Sequence, residues 1–337
     1  MSKREEHVTE ELFQPAHIDS GKSEEIAAPS LSFGQDAWRS MRKNKAAIFG
    51  IIVLIALTFL AIFGPMIGKY DFASQDLSRA NLPPRVPVLE DFGIMDGTDE
   101  MGNNVYEFKG VKDQYFWLGT DGLGRDMWSR IWQGTRISLF IALLAAAIDL
   151  LIGVVYGGIS AYYGGRVDNV MQRIVEILIG IPNLVLVILM ILVLDAGITS
   201  IIIALTITGW IGMSRIVRGQ MLKLKNQEFV LASRTLGATD NKIITQHLIP
   251  NVLSVIIINT MFTIPTAIFF EAFLSFIGLG LQPPIASLGT LIEDGYRNMQ
   301  IFPHLMIYPS IIISLIMIAF NIVADGLRDA LDPKMRD

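Results

Sequence analysis

The sequence predicts an all-α polytopic membrane protein with six transmembrane helices and both termini in the cytoplasm. Three observations carry that expectation. Hydrophobic residues make up 52% of the 337 positions and mean hydropathy is +0.48, too apolar for a soluble domain of this length. The apolar residues gather into six runs with few charges, at 46–67, 136–159, 170–194, 198–215, 252–280 and 305–325. Runs of about 18 or more such residues cross a bilayer as helices. Finally, lipid offers no hydrogen-bond partners, and these runs are long and lack the alternation of barrel strands, so helices are the expected element.

Taken in order, residues 1–37 read as a disordered cytoplasmic tail, rich in Glu, Ser and Lys over Met1 to Phe33. No cleavable signal is expected, because the opening 45 residues are polar and carry acids. Gly21-Lys22-Ser23 imitates the end of a phosphate loop, but Ala16 stands where the first glycine belongs. Arg39, Arg42, Lys43 and Lys45 precede the apolar run of the first span, assigned to 38–67, and hold that end inside.

Residues 68–135 form a long extracytoplasmic segment. It is proline-rich over Asn81 to Pro87 and turn-forming over Asp91 to Asn104. Trp128 and Trp132, four apart, share one face of an expected short helix at the membrane interface. Residues 136–330 hold the other five spans. Pro182 and Pro265 fall inside spans and should kink them, while Gly157-Gly158, Gly164-Gly165 and the Gly278/Gly280 pair suggest close packing or tight turns. Short loops that are basic on one side and nearly free of Lys and Arg on the other give the orientation. Residues 331–337 end the chain inside.

Several chemistries drop out. A net charge of −5 argues against nucleic acid, and the absence of cysteine excludes disulfides and thiol chemistry. The four histidines, His7, His17, His247 and His304, show no metal-ligand spacing, and neither HExxH nor GxSxG occurs. No catalytic residue, cofactor or metal is expected. No strong internal repeat is visible, so an inverted-repeat secondary transporter lacks support, although a self-sufficient transporter or channel remains the rival reading. Inside the spans stand Asp149, Glu176 and Glu271. Each is costly against lipid, so each should line a translocation path or clamp a neighbouring helix or subunit.

The most informative stretch is Glu228 to Asn251, a polar, basic segment between two apolar spans. Phe229, Ala232 and Leu236 fall along one face of a first helix. Gly237 stops it, Thr239 or Asp240 can cap a second helix carrying Ile243, Ile244 and His247, and Pro250 should end that one. A plain connector would be about 2–8 residues, so this hairpin, 228–250, reads as a docking element for a soluble partner.

Leu231-Ala232-Ser233, Gly237 and His247-Leu248-Ile249-Pro250 resemble the EAA motif of ABC importer permeases. Spacing is intact, with Leu231 replacing the Glu, Ser233 the second Ala and Ile249 the final Leu. LGTDGLGRDMWSRIWQGTRISL, YYGGRVDNVMQRIVEILIGIP, EAFLSFIGLGLQPPIASLG and NIVADGLRDALDP are similar to the peptide/nickel branch of that family, C-type subunit, over about residues 38–333. Leu288 stands where Trp is usual.

The resemblance implies a type I ABC importer permease fold, and a subunit without an ATPase site of its own. It would pair with a sister permease of B type, two cytoplasmic ATP-binding subunits and an extracytoplasmic peptide-binding protein. Its cargo would be oligopeptides, or alternatively dipeptides or nickel chelates. Glu228, Leu231, Ala232, Ser233, Arg234, Gly237 and Pro250 would then couple the spans to the ATPases. Asp149, Glu176 and Glu271 are the candidates for the path.

Overall fold

The computed structural model describes residues 33–99 and 101–331, and all regular structure among them is helical, with only isolated β-bridges in the outer segment. Five helices are long and apolar enough to cross a membrane, and one sharply bent helix pair makes a sixth span. Residues 1–32, including Gly21-Lys22-Ser23, and residues 332–337 lie outside the described residues. Within the stretch assigned to the tail and first span, Phe33–Met41 forms a short helix, α1, separate from the first span α2, Lys45–Ile67. Asn44 divides them: its side chain accepts from the Ala46 and Ala47 amides at 3.1 Å, capping α2.

A stripe of small residues positions α2. Ala47, Gly50, Ala61 and Gly64 are buried at helical spacing, while Phe49, Ile52, Ile55 and Phe59 point outward. Gly50 faces Ala319 and Val323, and Gly64 faces the Trp132 ring so closely that a Cβ there would sit 2.6 Å from it. Without a hydrophobic drive between helices in lipid, such close backbone approach supplies the packing energy.

The outer segment carries a core of its own. Short helices are few there, α3 being Val105–Phe108. Leu82, Tyr106, Val111 and Phe116 are buried together, and Tyr106 Oη donates to the Pro83 carbonyl at 2.8 Å. Arg85 pairs with Glu90 at 2.7 Å and also donates to the Lys112 carbonyl at 2.6 Å. That guanidinium and the Tyr115 hydroxyl hold the Glu90 carboxyl below the usual carboxylate range.

The second span is longer than expected. Helix α4 runs Met127–Tyr163, so Trp128 and Trp132 belong to its first turns and form no separate short helix. The physical reason is the cap: Asp126 accepts from the Ser129 amide at 2.9 Å, and no breaker follows before the apolar run. Trp128 Nε1 donates to the Gly64 carbonyl at 2.8 Å and Trp132 is buried, so both rings dock on α2. At the other end α4 runs against α7, Ile198–Leu224, where Gly153 and Gly157 meet Met213 and the Ser214 backbone.

The third span is broken, not merely kinked at Pro182. Helices α5, Gly165–Ile179, and α6, Asn183–Leu194, meet at 79°. Pro182 has no N–H to donate and its ring would strike the carbonyl four residues back, so the helix stops and restarts.

Pro250, in contrast, does not end the second hairpin helix. Helix α9 runs over Asp240–Leu279, passing through Pro250 and Pro265 and kinking only near its end at Gly278, φ +82°. A wide π turn, Ile243–Leu248, absorbs the first proline: the Ile249 amide reaches back to the Ile244 carbonyl, and Asn251 Nδ2 covers the His247 carbonyl at 2.6 Å. The hairpin's first helix, α8, is Glu228–Thr235; α10, Leu288–Arg297, and the last span α11, His304–Leu331, complete the chain.

Candidate functional site

Two features stand out: the hairpin that projects from one end of α7 and α9, and a cavity between α4, α6, α7 and α9. The hairpin turn requires Gly237, whose φ of +81° lies in the left-handed region that glycine alone visits freely. Before it, α8 presents Phe229, Leu231, Ala232, Arg234 and Leu236 to the outside, with Leu236 87% exposed. With Phe229 and Leu231 also exposed, this leaves apolar side chains open along the hairpin tip. Glu228, also exposed, places its acid in the first turn, where it favours the positive end of the helix.

The other face of the hairpin is fastened to the spans. Val230 is fully buried with Met213, Val217 and Met221 of α7 and Ile243, Leu248 and Val252 of α9. Tyr162, at the end of α4, donates to Asp240 Oδ1 at 2.6 Å, and the Arg234 guanidinium lies 5.6 Å from the centre of its ring. Ser233 Oγ is 3.5 Å from His247 Nε2, joining the two arms. Nearby, Arg218 of α7 grips Asp168 of α5 through two bonds of 2.7 and 2.6 Å, and Ser160 of α4 donates to the same carboxylate at 2.6 Å. The root of the hairpin is thus fastened to α4, α7 and α9, and α5 is tied to α4 and α7 beside it.

The cavity has a volume of about 340 Å³ and is lined by Asp149, Asn183, Thr208, Asn259, Thr263 and Thr266 among mostly apolar neighbours. Asp149 is buried, at 6% exposure, and its Oδ1 has no hydrogen-bond partner. Asn183, the first helical residue after the Pro182 break, lines this cavity, so the interruption of the third span lies beside it. Irregular backbone at membrane depth is tolerated where it lines such a space.

The three acids expected in the spans are therefore dispersed. Asp149 lines the cavity. Glu176 is exposed and pairs with Arg173 one turn before it, at 2.8 Å. Glu271 is fully buried elsewhere, accepting from Ser138 Oγ and Ser275 Oγ, each at 2.9 Å, and it ties α4 to the end of α9. Ser138 Oγ in turn accepts from the Leu288 amide of α10 at 3.2 Å.

Reasoning on charges alone missed the uncharged lining. Asn259, Thr263 and Thr266 recur at four and three residues within an apolar run, and that helical spacing of polar groups was the available signal. Val230 as the buried anchor of the hairpin was also missed, since its neighbours in sequence mask it.

A family model described as "binding-protein-dependent transport system inner membrane component" matches residues 150–337, more than half of the chain, including the hairpin and most of the cavity lining. The chain belongs to this family. A second model, "N-terminal TM domain of oligopeptide transport permease C", matches residues 32–84 of the same permease. Curated relatives extend the likeness to nearly full length. The permease is 45% identical over 331 residues to the "Oligopeptide transport system permease protein OppC" of Bacillus subtilis, covering 98% of this chain and 99% of that one. It is 44% identical to the "Dipeptide transport system permease protein DppC" of the same organism, over 98% and 94% of the two chains. The DppC of Lactococcus lactis is 47% identical, over 94% of each. This permease is thus a multi-pass membrane component of an ABC importer, with the all-helical fold expected of it.

Proposed function

We propose that this chain is one half of the translocation path of an ATP-driven peptide importer. In this reading it pairs with a sister permease of B type, docks through α8 onto one of two cytoplasmic ATPases, and receives peptide from an extracytoplasmic binding protein. Both termini and the hairpin lie on the cytoplasmic side. Hydrolysis belongs to the partner subunits.

The observation that carries the proposal is the two-sided hairpin: an exposed apolar tip at Leu231 and Leu236, and a buried root at Val230 shared with α7 and α9. An element fastened to several spans yet unpartnered at its tip converts a partner's displacement into movement of the spans. Closure of the ATPases on ATP would draw the paired hairpins together and open the spans outward; hydrolysis would reverse it. Ala232, Ser233 and Arg234 complete the contact surface, Gly237 sets its angle, and the helix through Pro250 is the lever into α9. Peptides as the cargo class rest on the relatives, whose names divide between oligopeptide and dipeptide transport at closely similar identity. Of the acids in the spans, Asp149 is the path residue in this reading, and Glu271 serves as a clamp.

The test is copurification of the complex and its reconstitution in vesicles. Peptide uptake should require ATP and loaded binding protein. Uptake driven by an ion gradient without the ATPases would sink the proposal in favour of a self-sufficient transporter.

A further inference from the structure

The polar lining of the cavity has a consistent chemical bias. Thr263 donates its hydroxyl proton to the Asn259 carbonyl at 3.1 Å, and Thr266 donates to the Phe262 carbonyl at 2.9 Å. Asn259 Nδ2 donates to the Val255 carbonyl at 2.7 Å, and Thr208 Oγ1 to Asn183 Oδ1 at 2.8 Å. Apart from the Asn183 amide and the second N–H of Asn259, the side-chain donors are therefore spent on the protein, and the groups left to face the cavity are mainly oxygen acceptors. Among them lies the Asp149 carboxylate, with Oδ1 lacking any partner. The lining contains no Lys, Arg or His.

The space for the carboxylate is itself built. Gly209 of α7 lies directly against it, and a Cβ at Gly209 would stand 2.5 Å from both oxygens. When ionised, a buried acid with acceptor groups around it and no cation of its own carries an unmet charge, which costs several kcal/mol in such surroundings and is relieved by a donor-rich cation. The cavity volume, about 340 Å³, is in the range of small-molecule sites, which run from ~300 to ~1,000 Å³.

We infer that this cavity receives the ammonium group of the transported peptide, its free N-terminus. The ammonium places one N–H on Asp149 and the others on the Asn259 and threonine oxygens, with Asn183 available for the first peptide carbonyl. The ammonium is common to every unmodified peptide whatever its side chains, so such a site holds diverse cargo without selecting sequence. This inference rests on the peptide-import reading above.

The experiment compares a free-amino peptide with its N-acetylated twin in the reconstituted full complex, at equal occupancy of the binding protein, so that the binding protein's own preference cancels. The unaltered complex should import the free-amino peptide faster. Asp149→Asn should slow the free-amino peptide roughly ten- to hundredfold, the loss expected for a hydrogen bond to a charged group. It should leave the acetylated peptide within about twofold of its former rate. Gly209→Ala, which displaces the carboxylate without removing its charge, should reproduce the selective loss. Equal import of both peptides by the unaltered complex overturns the inference, whether or not the variants assemble. So does an equal loss for both peptides in Asp149→Asn, which would make the acid a structural group or a partner for another subunit's cation. Failure of the unaltered complex to import any peptide overturns the import reading and this inference with it.

Discussion

Replacing Gly237 isolates the geometry of the hairpin from its contacts. Nothing lies within 4 Å of where a Cβ would stand, so a side chain there meets no clash. The cost of Gly237→Ala is then confined to the backbone, about 1–2 kcal/mol for an ordinary residue held at φ +81°. Gly237→Asn costs less, since its side chain tolerates that region. Gly237→Pro cannot adopt it at all, and it also removes the amide that donates to the Arg234 carbonyl at 3.1 Å, a combined cost of about 3 kcal/mol or more.

Against these stand the burial of Val230, worth about 1.5–3 kcal/mol, and the bond from Tyr162 to Asp240, about 1 kcal/mol. Asn should preserve the hairpin, Ala should weaken it and Pro should offset most or all of what holds it. The assay is the ratio of peptide imported to ATP hydrolysed by the reconstituted complex. That ratio should fall in the order Gly, Asn, Ala, Pro. A normal ratio in Gly237→Pro, with the protein in the membrane, would refute the reasoning.

Leu236→Asp should leave thermal stability within about 0.5 kcal/mol, because the side chain is 87% exposed, yet abolish copurification of the ATPases. Trp132→Ala should cost about 3–5 kcal/mol by emptying the contact with Gly64, read as a lowered melting temperature in detergent, with α2 loosened first. Glu271→Leu should cost more stability than Glu271→Gln, by about 1–3 kcal/mol, because Ser138 and Ser275 would lose their buried acceptor. Neither Glu271 variant should change the preference for free-amino over acetylated peptide, which peptide uptake by the stable variant checks.

Hydropathy made the spans readable because each is a long apolar run with few charges, and the composition of Glu228 to Asn251 set that segment apart. Boundaries were less legible where single residues decide them. Asp126 extends the second span by capping it ten residues before the apolar window opens at residue 136, and a window average cannot register a cap. Pro250 reads as a stop by its own chemistry, but a π turn five residues long in its hydrogen bond from Ile249 to Ile244 makes room for it. The cavity was half visible. Asp149 announces itself as a charge in lipid, whereas Asn183, Asn259 and Thr263 are cheap enough to hide within an apolar run and become a site only when α6 and α9 bring them together beside Asp149.

In the proposed function, α8 meets an ATPase on the cytoplasmic face and carries its movement into the spans. Because the chain contains no cysteine, Leu236→Cys introduces a single reporter without background. In the intact complex, a short bifunctional reagent should join that cysteine to the ATPase subunit, and the yield should change between the ATP-bound and nucleotide-free states. A membrane-impermeant maleimide should reach it, once the ATPases are stripped away, only in inside-out vesicles. Labelling from the outer face of right-side-out vesicles, or a cysteine that never joins the ATPase in either state, would contradict the account.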